Sequence, residues 1–223
     1  MKFDGKVVIL SVIYQEPEWQ QTKQCIERCG VPVVYVDRTP TGVGSLAEAY
    51  NRGFKTLLKN FPKVKFVWCV SNVWFKPEIL DELIKVMEED ETIGMLHPSF
   101  DSDHSHTKQD VEKGISSAPF VEFTAPVVRA SLLKELPLDE KMPYWGHDLA
   151  YGYEVRKRGY KVMVHHGVRV EHEYIRFTVK RTLHPITRAR RRMRKQMNEP
   201  TIQRLVEVYG EDWKNKLQFT LKV

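Results

Sequence analysis

A carboxylate held at the start of a helix beside an aromatic and a glycine can take a proton from a hydroxyl, and this chain has one at Asp148 in Trp145-Gly146-His147-Asp148. The sequence continues to Arg156-Lys157-Arg158-Gly159-Tyr160, so the spacing predicts a short amphipathic helix that closes in a basic turn and a glycine before a strand at Lys161 to Val164. The same Asp could cap that helix and do nothing more. Asp37 closes the apolar run Val33 to Val36, Ser71-Asn72 follow Lys65 to Val70, and His172 follows Val168 to Val170. An amide oxygen such as that of Asn72 can coordinate a hard cation but brings no negative charge.

These groups need a scaffold, and the first half of the chain supplies an alternating one. Val7 to Ile13 is a continuous apolar run of the kind buried on both faces of a parallel sheet. A helix from Pro17 to Cys29 follows, then the strand ending at Asp37. A helix from Leu46 to about Leu58 carries Leu46, Ala49, Tyr50, Phe54, Leu57 and Leu58 on one side. After the strand at Lys65 to Val70, Pro77 opens a helix with Leu80, Leu83, Ile84 and Met87 inward. This βαβαβα order predicts an α/β fold: a mainly parallel, mixed central sheet flanked by helices, with a ligand crevice at the carboxyl ends of its strands.

The second half is less regular. It reads as a short strand at Ile93 to Leu96, a polar loop from Asp101 to Ser117, a strand from Phe120 to Val128, a helix from Ser131 to Glu135, and separate strands at Lys161 to Val164 and Val168 to Val170. Asp101, Asp103, His104 and His106 have metal-like composition but lie in that polar loop, which favours a solvated or acceptor-gating role. His165 and His166 adjoin on one strand, where alternation turns only one toward a cleft, and both read as structural. Cys25, Cys29 and Cys69 make neither a disulfide framework nor a zinc site.

Four segments in order resemble the inverting, family-2-like GT-A glycosyltransferases across roughly residues 7 to 173. They are Ser11-Val12-Ile13-Tyr14, Val36-Asp37, Gly44-Ser45-Leu46-Ala47-Glu48-Ala49-Tyr50-Asn51-Arg52-Gly53, and Trp68 to Pro77; the Trp-Gly-His-Asp block then resembles the family's Trp-Gly-Glu-Asp. The resemblance implies a donor pocket from Ser11, Tyr14, Asp37, Asn51, Ser71 and Trp145, with Asp37 on the nucleobase, Asp148 as general base and His147 beside it. His147 stands where the family usually has Glu, and Ala150 where it often has a second Asp. The family's Asp-x-Asp metal motif is replaced by Ser71-Asn72, so the implied divalent ion (Mn2+ or Mg2+) would be held more weakly, by Asn72 with His172. The expected reaction is sugar transfer from a UDP- or GDP-type nucleotide sugar to an acceptor hydroxyl.

Ten of the 35 basic residues, but only one of the 29 acidic ones, fall between Ile175 and Arg204. The expected organisation is therefore a transferase domain over 1–174 and a basic helical extension over 175–223 packing on it, with Leu183, Ile186 and Met193 as contacts. The basic stretch 176–195, in which Pro200 would end a cationic helix, suits a polyanionic acceptor such as modified nucleic acid, an anionic glycan or a lipid-linked acceptor. No apolar run reaches membrane-spanning length and the first residues lack a signal-peptide core, which fits a viral or bacterial enzyme of the cytoplasm. Two rivals remain open: a nucleic-acid-binding module on a catalytically degenerate transferase scaffold, and a nucleotidyltransferase, for which Tyr14-Gln15-Glu16-Pro17 lacks a glycine-rich basic phosphate loop.

Overall fold

The structure is a computed structural model and describes residues 5–13, 16–37, 46–101, 107–142, 145–172 and 198–219. Strands β1 (Val7–Ile13), β2 (Val33–Asp37) and β3 (Phe66–Val70) alternate with helices α1 (Glu16–Glu27), α2 (Leu46–Asn60) and α3 (Ile79–Glu89). Next come β4 (Ile93–Phe100), β5 (Ile115–Ser117), β6 (Val127–Arg129), α4 (Ala130–Glu135), α5 (His147–Lys157) and β7 (Lys161–Val170). A helix over 198–209 (α6) and a short one, Trp213–Lys216 (α7), complete the described chain.

The sheet has seven strands in the order β2-β1-β3-β6-β4-β7-β5. The β1–β2, β1–β3 and β4–β7 pairs are parallel, and β6 runs antiparallel to both β3 and β4, so β1, β2, β3, β4 and β7 all point one way. The α/β expectation holds, and so does its mixed character.

Alternation along the apolar strands feeds two cores, one on each face. Val8, Leu10 and Val12 pack with α2, α4 and α5, whereas Val7 and Ile9 pack with α1 and α3. A Cβ on Gly53 of α2 would stand 2.6 Å from a Leu10 methyl and 2.9 Å from Val36, so the helix reaches the sheet this closely only with glycine there. Met142, Leu149, Ala150, Leu205, Trp213 and Leu217 form a third, smaller core that ties α5 to α6 and α7. Among the described residues no helix is long and apolar enough to cross a membrane.

Several local readings need correction. Strand β4 runs four residues past Leu96, fully buried, because its polar members are satisfied inside: Ser99 Oγ donates to the Val168 carbonyl at 2.8 Å, and the missing N–H of Pro98 falls at a register shift. Strand β6 is far shorter than Phe120 to Val128. Residues 121–125 alternate inward and outward like a strand, but Pro126 has no N–H to donate, and the stretch meets β3 and Ser71 through the Thr124, Ala125 and Pro126 carbonyls, which accept from the Ser71 N–H, the Trp68 indole and the Cys69 N–H. Residues 161–170 form one strand instead of two. The end of the presumed polar loop is edge strand β5, anchored by His166, whose Nδ1 accepts from the Asp110 N–H at 3.1 Å and whose Nε2 meets Ser116 Oγ at 2.8 Å. Pro200 is helical, within 198–209, while 173–197, where the cationic helix was expected, lies outside the described residues.

Candidate functional site

Because five strands point one way, their carboxyl ends line one edge of the sheet: Ile13, Asp37, Val70, Phe100 and Val170. That edge is the crevice position expected of an open α/β sheet. At the end of β3 the chain turns through Asn72, which adopts φ 51°, a left-handed conformation that Asn tolerates better than most residues. The turn is fixed from three sides. The Ser71 N–H donates to the Thr124 carbonyl at 2.8 Å, Thr22 Oγ1 both accepts from the Val73 N–H and donates to its carbonyl at 3.0 Å, and Trp74 exchanges two backbone bonds with Glu171. This last, antiparallel bridge sets the backbone of His172 opposite that of Val73, the residue after Asn72.

His172 is buried, its ring stacked on Phe100 at 5.2 Å, and its backbone N–H is taken by Asp101 Oδ1 at 2.9 Å. The nearby donor set is thus a neutral amide, an imidazole and a carboxylate with one oxygen already engaged. Among the described residues no three His, Cys, Asp or Glu side chains gather around a point that could hold a metal. These residues do not fit a tightly held divalent ion. Asp103, His104 and His106 lie outside the described residues.

A chain of aromatic contacts runs from Ser71 at that edge to His147, the neighbour of Asp148. The Tyr50 hydroxyl lies 3.3 Å from Ser71 Oγ and donates to the Phe123 carbonyl; the Phe123 ring packs on Tyr50 at 5.3 Å, on Tyr151 at 5.2 Å and on His147 at 6.2 Å. Helix α5 starts at Gly146, which has φ 91°, and a Cβ there would stand 2.8 Å from the Thr201 methyl of α6. Only glycine satisfies both demands. The helix is not amphipathic as expected. Leu149, Ala150, Tyr151 and Gly152 are buried in succession, because the sheet covers one side and α6 with α7 the other.

Within that setting Asp148 Oδ1 accepts from the Leu149 N–H at 3.0 Å and from the Gly146 N–H at 3.2 Å. The capping reading is therefore partly right: the carboxylate does gather orphan N–H groups at a helix start. It is also electrostatically unusual. Although the residue is half-buried, its carboxyl end lies inside, and desolvation, reinforced by the Glu122 carboxylate, pushes its pKa from 3.8 up to about 7 against the pull of those N–H groups. A carboxyl group poised there is matched to proton transfer near neutral pH.

The other expected site residues divide. Asp37 is exposed at the end of β2, and Arg52 of α2 donates to its carbonyl at 3.4 Å, placing an unforeseen cation beside it. Ser71 is at the edge but buried. Ser11 is fully buried one layer below, its hydroxyl accepting from the Trp19 indole at 3.3 Å. Asn51 grips the backbone of Leu138, donating to its carbonyl and accepting from its N–H, both at 2.9 Å, and also donates to Glu140. The Trp145 indole N–H donates to Asn198 Oδ1 at 2.8 Å, and its ring stacks on Phe219. Asn51 and Trp145 thus meet protein partners. Tyr14 lies outside the described residues. Tyr50, Glu122 and Arg52 join the edge without having been singled out; Tyr50 and Arg52 flank Asn51 in the matching segment, whereas nothing in residue type marks Glu122. The three thiols are free, and burial pushes Cys29 up to about 12, so none is poised as a nucleophile.

No protein-family profile matches the chain, and no curated protein matches it by sequence. Among solved structures it is similar to GalNAc-T7 determined with UDP, GalNAc and Mn2+, at TM-score 0.52 and 11% identity over 75% of this chain and 43% of that one. It also matches A197 from STIV (TM-score 0.48, 6% identity, 74% of this chain and 81% of that one). A third match is a glycosyltransferase involved in glycosylation of the major capsid of PBCV-1 (TM-score 0.40, 14% identity, 71% and 91%). The chain spans less than half the length of GalNAc-T7, and at this identity what the two share is the architecture. The fold is GT-A-like.

Proposed function

We propose that the protein is a glycosyltransferase that moves a sugar from a UDP- or GDP-type nucleotide sugar to an acceptor hydroxyl with inversion, Asp148 acting as general base. A fold by itself hosts many chemistries. The observation that supports this reading is Asp148: one carboxyl group at the start of α5, fixed through Oδ1, whose pKa burial pushes up to about 7. The donor pairing of UDP with a sugar in GalNAc-T7 supports the choice of substrate class.

In the proposed reaction the acceptor oxygen forms a bond to the anomeric carbon while the bond from that carbon to the diphosphate oxygen breaks on the opposite face. The acceptor proton passes to Asp148, with Oδ2 the oxygen that takes it, and the nucleoside diphosphate leaves with the bonding electrons. Asp37 contacts the nucleobase at the end of β2, and His147 adjoins the base on the acceptor side. No step is routed through a metal, since the donor set around Asn72 and His172 does not fit a tightly held one. Arg52, beside Asp37, offers positive charge to the donor phosphates. The acceptor is polyanionic, met by the basic stretch 176–195, which lies outside the described residues.

One observation favours a second reading. The charge-poor set at Asn72 suits a degenerate scaffold whose basic stretch binds nucleic acid. Release of nucleoside diphosphate from a panel of UDP- and GDP-sugars, with native chain and Asp148→Asn, separates the two. Donor-selective release lost in the variant supports the transferase; absence of release and of donor binding, with salt-sensitive nucleic-acid binding, supports the module.

A further inference from the structure

The chain that leads to Asp148, described over 136–142 and 145–146, is held in both parts by side chains outside it. At its start Asn51 of α2 clamps Leu138 through both amide atoms. Beyond that, Asp139 is a hub. Its Oδ1 accepts from the Lys141 N–H at 3.0 Å and its carbonyl from the Met142 N–H at 3.1 Å, while Oδ2 receives Arg204 Nε of α6 at 2.7 Å. Arg204 is partly buried and braced by Glu207 one turn on, at 2.8 Å. At the exit of the loop α6 makes two more contacts: Asn198 accepts from the Trp145 indole, and buried Thr201 packs where any side chain at Gly146 would have to stand. Leu205 of α6 fills the small core with Met142, Leu149 and Ala150. Helix α6 therefore touches the loop before, at and after the backbone N–H of Gly146 that Asp148 accepts.

We propose that α6 is a positioning element for Asp148, and that Arg204, through Asp139, together with Asn198, through Trp145, holds residues 139–142 and 145–146 where they fix the carboxylate. This rests on the assignment of Asp148 as the base. A segment that is only an appendage needs no polar contacts to a loop on the far side of its own core, and one would expect an apolar seam alone. Here both polar anchors fall on the chain that leads into Gly146, at Asp139 and at Trp145. Loosening them admits water around Asp148, with Glu122 the other ionisable group facing it, and moves its pKa back toward the ordinary carboxylate range.

The test compares native chain with Arg204→Ala, Arg204→Lys, Asn198→Ala and, as a control on the exposed side of α6, Gln203→Ala. Amide hydrogen exchange at Gly146 and Leu149 is read without any substrate; steady-state turnover and its pH profile are read with the donor. The expected result is exchange faster by about tenfold in Arg204→Ala and Asn198→Ala, partial recovery in Arg204→Lys, and no change in Gln203→Ala. With it, kcat falls by about tenfold while donor KM stays within about twofold, and the acid limb of the pH profile moves to lower pH. Unchanged exchange in folded Arg204→Ala and Asn198→Ala overturns the proposal, and so does a fall in melting temperature with kcat and pH profile intact. Should Arg204→Ala fail to fold, Asn198→Ala, which removes a single contact, decides. If the native chain turns over no donor, the transferase reading fails, and the exchange result still decides whether α6 holds the loop.

Discussion

The sheet and the small core around α5 and α6 are built on different principles. In the sheet, side chains are aliphatic and alternate between two faces, and the backbone is held by regular ladders over β1, β2 and β3. In the small core, Trp145, Phe219 and Trp213 stack in series, and polar side chains bind one at a time, Arg204 the Asp139 carboxylate and Asn198 the Trp145 indole, with Asn51 of α2 on the Leu138 backbone beside it. The first arrangement decides where the carboxyl edge lies. The second decides how a single carboxylate is presented to it. A ladder tolerates losing one contact; a loop held by individual anchors does not.

The largest expected contrast is between activity and stability at Asp148. Asp148→Asn should lower turnover by about 10²–10⁴-fold, the usual contribution of a general base. It should also stabilise the protein at alkaline pH. A carboxyl group with pKa about 7 in the folded chain and 3.8 outside it favours folding while protonated, so its contribution is complete below about pH 4 and is lost as pH rises toward 7. Thermal melts at pH 5 and 8 would reveal this as a gain in the variant that is larger at the higher pH.

Next in size are paired truncations of the two cores. Leu10→Ala and Leu205→Ala each remove a fully buried side chain and should each cost about 2–5 kcal/mol in denaturant unfolding. At temperatures where both stay folded, only Leu205→Ala should depress kcat. Equal kcat in the two would dissolve the distinction. Gly146→Ala should cost about 1–3 kcal/mol, since it meets both an unfavourable φ and the Thr201 methyl. The smallest effect concerns the Asn72 turn. Asn72→Asp keeps a residue type that tolerates positive φ and adds the missing charge, so Mn2+ affinity by calorimetry should rise about tenfold, equivalent to about 1.4 kcal/mol.

Most of the sheet was legible in the sequence: Val7 to Ile13, an uninterrupted apolar run buried on both faces, matches its strand residue for residue, and so does Val33 to Asp37 at the half-exposed edge. Strand β4 was underread because His97, Pro98 and Ser99 look like a break, and only a neighbour's carbonyl at Val168 makes a serine there acceptable. Residues 120–128 were overread because alternation marks burial, not pairing, and Pro126 prevents the ladder. At the site, residue type and order pointed to Ser71-Asn72 and His172, which lie just past the ends of β3 and β7, and to Asp148, which opens α5. They could not reveal that the amide of Asn51 and the indole of Trp145 are taken by Leu138 and Asn198, nor that Glu122 faces Asp148. Partners in a loop assembly depend on which distant segment folds over it, and nothing local to Asn51 or Trp145 encodes that.

The most direct measurement of the central claim is the pH dependence of nucleoside diphosphate release, for native chain and Asp148→Asn with the same donor and acceptor. The proposed role predicts a native profile that rises with pH to a plateau, with its midpoint near 7, and a variant reduced throughout with that limb abolished. A native profile already level from pH 5 upward, or a variant that keeps both the rate and the limb, would contradict Asp148 as the base.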